Sequence, residues 1–470
     1  MSDTMKKWRT LFGPIDMTVG TPWKNILAFM IPMLLGNIAQ QMYNAVDSVV
    51  VGRYIGDNAL AAVGNTAPVV NLLIVLFVGI SMGASIVVSQ YLGAKNREAL
   101  SSAIGNCILL TAVSVVLVMA FALLFTDPLL RMMNTPESIF KWSESYLLIM
   151  LVGSVGLAYY NILSGILRGL GDSVSALLYL LAACGLNIVL DLLFVAVFHM
   201  GVAGAAWATI ISQAISAVLC MRKLIHMQEF FTLSRKHLRW NKKYAVEIVR
   251  MGVPSGLTQV IMSMSMLAVQ SLTNSFGEAV MAANVIVVRV DGFATMPSLS
   301  FGTAATTYAG QNIGAGNPGR VRTGAVQGSI LAAGISLVIT ILLLIFGKPL
   351  IRIFTNTEEL ISQSYRFMCI LAAGYILFSV IQLLCGIMRG AGDPMATMWI
   401  SIAATFLIRL PLAYFLVYMT KSSENPSGQP ECLYISQLLA WIFGLALTLI
   451  LYKKGKTEKE LKAMETGKQR

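Results

Sequence analysis

An all-α integral membrane protein, with twelve transmembrane helices in two parallel six-helix repeats, is the fold class this sequence predicts. Three observations carry that prediction. Of 470 residues, 56% are hydrophobic and only 12% charged, where a soluble protein carries about a quarter charged. Charge-free windows of at least 21 residues recur along the chain, at 25–46, 58–94, 99–126, 145–167, 192–221, 251–277, 323–347, 367–388 and 432–452. The stretch "GILRGLGDS" at 165–173 returns as "GIMRGAGDP" at 386–394, an offset of 221 that carries Arg168 onto Arg389.

Each window is long enough to cross roughly 30 Å of hydrocarbon as a helix. Three further apolar stretches, broken only by Asp191, by Arg289 with Asp291, and by Arg409, complete the twelve spans. Backbone groups in lipid are satisfied only by helices or closed barrels, and runs of this length specify helices. The N-terminal "MSDTMKKWRTLFGPIDMTVGTP" has no apolar core and does not read as a cleavable signal peptide. On the twelve-span reading, 25 of the 34 Lys and Arg fall on the side of the N-terminus and six on the other. That asymmetry predicts cytoplasmic termini in a multi-pass plasma (inner) membrane protein. The net charge of +12 is then topological, a matter of anionic lipid headgroups, and no nucleic-acid partner is expected. The six cysteines show no CxxC spacing and read as buried thiols.

The repeat sets the domains. Residues 162–172 and 383–393 share seven identities in eleven, and the same offset pairs Gln90 with Gln311, Gly93 with Gly314 and Asn96 with Asn317. The expected organisation is an N-terminal six-helix lobe at 1–221, a cytoplasmic linker at 222–250, a C-terminal six-helix lobe at 251–452 and a cytoplasmic tail at 453–470. Six spans per copy make the copies parallel, a design that places substrate near the bilayer midplane. Within "RGxGD", Gly171 and Gly392 suit tight helix exits, and Asp172 and Asp393 suit N-caps. Pro394 suits a first helical position, and the arginines read as positive-inside residues. The motif is helix punctuation copied by duplication.

Two apparent enzyme motifs dissolve on inspection. "GAGNPG" at 314–319 has no strand before it and no acidic residue until Glu358. "GISMG" at 79–83 has no histidine within a span to act as its base, and Gly79 with Gly83 reads as a close-packing pair. No GxxxxGK[ST] occurs, so the chain encodes no ATP engine.

Where the two copies differ is more informative. Asp47 maps onto Ala268 or Val269, Asn187 onto Ile408 and Asp191 onto Leu412, so the first copy alone keeps the acids. Gly36, Gln40, Tyr43, Asn44 and Asp47 follow helical spacing down one face of span 1, which Pro32 interrupts. Asn187 and Asp191 are four apart and face the same way, while span 6 adds Thr209, Ser212, Gln213 and Ser216. Single hydroxyls and amides also serve as helix glue. Intramembrane carboxylates are costly and mark function by default.

"IPMLLGNIAQQMYNAVDSVVVGRYIG", "LNIVLDLLF", "GVAGAAWAT", "GQNIGAGN", "RLPLAY" and the twice-written "GIxRGxGD" together resemble the multidrug and toxic compound extrusion (MATE) transporters of bacterial type. The resemblance covers nearly the whole chain. It implies the MATE fold and ion-coupled export of organic, cationic or amphipathic compounds. No catalytic residue and no cofactor beyond a coupling H+ or Na+ is implied. Small organic substrates and membrane lipids are the expected partners, and the protein is expected to be a monomer. It places a cation site, for H+ or Na+, at Asp47, Asn187, Asp191 and Thr209, and substrate-lining positions at Pro32, Gln40, Tyr43 and Asn161. Arg289 is a further substrate-binding candidate. Some members also use acids on spans 7 and 10, which 251–277 and 367–388 lack here. The intramembrane arginines keep a second reading open, a flippase for lipid-linked saccharide precursors, since such proteins have more cationic cavities. Whether Arg409 pairs with Asp191 or bonds backbone carbonyls is left open by the sequence.

Overall fold

A computed structural model describes residues 13–423 and 426–466. Lys6, Lys7 and Arg9, counted above in the charge asymmetry, lie outside the described residues, as do Lys468 and Arg470. The helices in chain order are α1 (Pro22–Tyr54), α2 (Asp57–Gly93), α3 (Arg97–Met132), α4 (Glu137–Val152), α5 (Ser154–Gly169), α6 (Ser173–Asp191), α7 (Gly201–His226), α8 (Lys242–Asn274), α9 (Glu278–Gly314), α10 (Pro318–Arg352), α11 (Glu358–Ala372), α12 (Tyr375–Gly390), α13 (Pro394–Ser401), α14 (Leu410–Met419), α15 (Glu431–Lys454) and α16 (Lys456–Glu465). Wider π turns, Leu192–Val197 and Ile402–Arg409, extend α6 and join α13 to α14. No strand occurs among the described residues.

Among the described residues ten helical stretches are long and apolar enough to cross a membrane, and two bent pairs, α4 with α5 at 47° and α11 with α12 at 45°, make twelve when each pair is taken as one span. The sequence windows 145–167 and 367–388 read as straight spans, so the bends are new. Each break falls at a glycine, Gly153 and Gly374, one repeat offset apart. A Cβ there would run into the side chain of Ile210 or of Trp441 respectively. The broken helix lets a neighbouring side chain approach where a methyl group would exclude it.

The punctuation motif forms as its residues dictate. Asp172 caps α6 by accepting the Ser175 N–H at 2.9 Å, and Asp393 caps α13 through Ala396 N–H at 3.3 Å. Gly171 and Gly392 take φ of 88° and 89°, a region other residues avoid. Pro394 opens α13. The arginine corrects the expectation of a simple positive-inside marker. Half-buried Arg168 donates from Nη1 to Ser164 Oγ at 3.2 Å and from Nη2 to Ser81 Oγ at 3.1 Å, tying α5 to α2.

The chain divides into two compact units, Met1–Asp16 with Pro32–Gly256 and Met17–Ile31 with Leu257–Arg470. The boundaries differ from lobes that end at 221 and begin at 251. In unit 1, the polar stretch expected as a linker is folded onto the helices. Phe231 and Ile248 are buried in the core formed with α2, α3, α5 and α7, and Asn241 N–H donates to Asn106 Oδ1 at 2.8 Å. Gly79 stands against Gly252 O and Gly256 Cα, both 3.2 Å from where its Cβ would lie, the close helix approach that "GISMG" predicts.

In unit 2, Met17 is fully buried and its N–H donates to Gln311 Oε1 at 2.9 Å. Its carbonyl accepts from Asn312 Nδ2 at 3.0 Å and from Arg320 Nη2 at 3.2 Å. Helices α1 and α8 therefore each begin in one unit and end in the other. Both changeovers adjoin a proline, Pro32 and Pro254, where the helix lacks one backbone hydrogen bond.

Candidate functional site

All four residues expected to hold a cation lie in unit 1, on α1, α6 and α7. Asp191 is the last residue of α6 before the π turn, and neither it nor Asn187 exposes more than 1% of its surface. Helical spacing stacks them on one face. The Asn187 amide satisfies both its ends when its nitrogen donates to Asp191 Oδ2 at 2.7 Å and its oxygen accepts the Thr209 N–H at 3.2 Å. From α1, the Tyr43 hydroxyl lies 3.3 Å from Thr209 Oγ1. One turn on, the Asp47 carboxyl comes within hydrogen-bonding reach of the Asp191 carboxyl.

One oxygen of each acid, Oδ1, is buried and takes no hydrogen bond from the protein. Among the described residues no Lys, Arg or His forms an ion pair with either. Two carboxyl groups so placed can share one proton, or hold one small cation between their oxygens with the Thr209 hydroxyl alongside. In that orientation the amide oxygen of Asn187 takes the Thr209 N–H, and Asn187 acts on Asp191 as a donor that fixes its orientation.

Tyr43 joins this group, whereas the other expected lining residues do not. Gln40 is exposed on α1, and Pro32 marks the unit changeover a third of the way along the helix. Asn161 donates to the Leu157 carbonyl within α5 at 2.8 Å, and its own carbonyl accepts from Ser81 Oγ at 2.6 Å. Arg289 is exposed on α9. Arg409 has Asp291 as its neighbouring acid, within unit 2. One residue escaped the sequence reading: Tyr146 of α4 is buried in an apolar cluster with Val50 and Val51, within electrostatic range of Asp47, Asp191 and Tyr43. Its window is apolar throughout, and nothing in the spacing distinguishes it.

Apolar spans along the whole chain, with two acids paired inside unit 1, define a class, the multi-pass membrane transporters. The chain belongs to the MatE family, whose pattern matches residues 32–193 and again 254–415, each copy opening on a proline. It is 32% identical over 428 residues to the probable multidrug resistance protein YoeA of Bacillus subtilis (strain 168), a match covering 89% of this chain and 92% of that protein. It is 28% identical over 446 residues to the probable multidrug resistance protein NorM of Thermotoga maritima, covering 93% of each. Among solved structures, the outward-facing conformation of a multidrug resistance MATE family transporter matches with a TM-score of 0.87 at 23% identity, over 96% of this chain and 99% of that one. The fold is thus a MATE fold, and the chain is a multi-pass membrane protein of a multidrug efflux transporter family.

Proposed function

We propose that this protein is a secondary antiporter. It exports organic, cationic or amphipathic compounds in exchange for H+ or Na+ by alternating access. It acts as a monomer in the plasma (inner) membrane with both termini cytoplasmic. The names of the relatives support export of drugs, and the pairing of Asp47 with Asp191 in unit 1 carries the coupling. With one proton or cation aboard, the pair holds α1 against α6. With none aboard, two carboxylates at ~4 Å repel by about 4 kcal/mol at an effective dielectric of about 20. That is enough to shift a two-state equilibrium about a thousandfold. The Pro32 changeover is where α1 can yield to that force. A hydrogen bond between two carboxyl groups needs only a proton, so H+ is the ion expected to suffice.

The test is dye export from proteoliposomes under a pH gradient without Na+. The wild-type protein should export, and Asp191→Asn and Asp47→Asn should not, while inserting and expressing normally because amides are cheaper in lipid than carboxylates. Export by Asp191→Asn at the wild-type rate would sink the site. Wild-type export only under a Na+ gradient would overturn the proton reading.

A further inference from the structure

Three charged residues of unit 2 mark where three of its spans leave the hydrocarbon. Lys348 follows the charge-free window 323–347, Arg366 precedes 367–388 and Glu431 precedes 432–452. The fold gathers them at the end of α10 and the starts of α11 and α15. Arg366 Nη1 lies 3.6 Å from Glu431 Oε1. Lys348 Nζ stands 5.3 Å from the ring centre of Tyr365, the neighbour of Arg366 in the chain. Around the Arg366–Glu431 pair opens a cavity of about 770 Å³, lined also by Gln363, Gln429, Cys369 and Ile370. That volume falls within the usual range of ligand pockets.

At 3.6 Å the guanidinium and the carboxylate stand beyond hydrogen-bonding distance. A partly solvated pair of this kind adds little to the stability of the fold. Both groups stay open to a ligand with the opposite pair, an anion for Arg366 and an N–H cation for Glu431. Their level narrows the choice. Residues that bound an apolar span lie where hydrocarbon gives way to headgroups. Deeper positions on the same helix faces are apolar: Ile370 is four residues past Arg366, and Ile435, Leu439 and Ile442 follow Glu431 at i+4, i+8 and i+11. Those three α15 side chains are exposed. A charged rim above an exposed apolar stripe fits a charged head above acyl chains, whereas a soluble zwitterion has no use for the stripe. Glu431 also selects the head. It repels an anionic lipid without an amine, and a quaternary choline has no N–H to give it.

We propose that this cavity is a lipid headgroup site for glycerophospholipids that join a phosphodiester to a primary amine, the phosphatidylethanolamine head. Arg366 takes the phosphate, with Lys348 adding positive potential at the rim. Glu431 accepts from the ammonium, and the acyl chains lie along Ile435, Leu439 and Ile442. A lipid held here does not depend on ion-coupled export, so either reading can fail without the other.

The test is native mass spectrometry of the purified, delipidated full-length protein, titrated with phosphatidylethanolamine, phosphatidylglycerol or phosphatidylcholine of identical chains. For the first lipid bound, wild type should prefer phosphatidylethanolamine by about tenfold, the worth of one charge-assisted contact. Glu431→Gln should abolish that preference. Arg366→Gln should weaken all three lipids by about tenfold, and Arg366→Lys should restore part of the loss, since it keeps the charge but not the fork. Arg352→Gln breaks an exposed ion pair to Glu358, 2.7 Å long and outside the cavity lining, and should leave every affinity within about twofold. Glycerophosphoethanolamine, the head without chains, should not displace the lipid at about a hundredfold excess, because it has no apolar surface to bury. Equal wild-type affinity for the three lipids would overturn the proposal, as would a preference that survives Glu431→Gln or is lost equally in Arg352→Gln. Displacement by the chainless head at matched concentration would show a site for a soluble zwitterion and would overturn the lipid assignment.

Discussion

Asp172 and Asp393 occupy the same place in a duplicated motif, yet their removal should cost unequally. The Asp172 side chain is fully buried. It accepts Ser175 N–H at 2.9 Å and Ser175 Oγ–H at 2.8 Å, with Lys223 Nζ 3.4 Å away. Alanine removes an N-cap, worth about 1 kcal/mol, and strands a buried hydroxyl, worth about 1–2 kcal/mol. Lys223 is 30% exposed and can turn to water, so its share is at most about 1 kcal/mol. The total is near 3 kcal/mol. Asp393 holds only Ala396 N–H, at a long 3.3 Å, so its loss should cost about 1 kcal/mol or less. Asparagine separates the contributions: it caps as well as aspartate, so Asp172→Asn should fall between wild type and alanine. The assay is the midpoint of reversible unfolding in mixed micelles, with the fraction surviving a heat step on size exclusion as a check. Equal losses at the two positions, or Asp172→Asn as damaging as Asp172→Ala, would refute this accounting.

Two further outcomes test the packing and the topology. Gly83→Ala should destabilise by about 1–3 kcal/mol, as overpacking does, because its Cβ would press on the Ile248 carbonyl and lie 2.8 Å from Gly252 N. Gly185→Ala, with nothing within 4 Å, should be neutral or stabilising by up to about 1 kcal/mol in an α-helix; the reverse order in a thermal-shift series would contradict the geometry. With the six native cysteines replaced, an impermeant maleimide added outside intact cells should label a cysteine at exposed Ser423 and spare one at exposed Ser234. Labelling of 234 alone would invert the twelve-span topology.

Hydropathy alone made the twelve spans legible, because lipid leaves the backbone no alternative to helices. Self-comparison made the repeat legible, and with it the caps at Asp172 and Asp393, whose chemistry is local. The Asp47, Asn187 and Asp191 positions could be picked out because a carboxylate in an apolar run has no cheap explanation. The bends at Gly153 and Gly374 stayed hidden, since the side chains packed against those glycines, Ile210 and Trp441, are distant in sequence. Tyr146 stayed hidden for a similar reason: a tyrosine in an apolar window shows nothing of what its hydroxyl will meet. Arg409 and Asp291 were visible as charges, but that they neighbour one another within unit 2 depends on a π turn that periodicity does not encode.

The exchange of α1 and α8 between the units has a consequence for how the protein is made. Met17 leaves the ribosome early, while its hydrogen-bond partner Gln311 follows 294 residues later. Unit 1, for its part, is incomplete until the segment up to Gly256 has been synthesised, well past the sixth span. A chain severed at the apparent midpoint of the duplication would give two fragments, neither holding a whole unit. In that respect the duplicated gene resembles a domain-swapped dimer fused end to end. Each copy lends its opening segment to the other, so the two halves are folded as one exchange and not as separate modules.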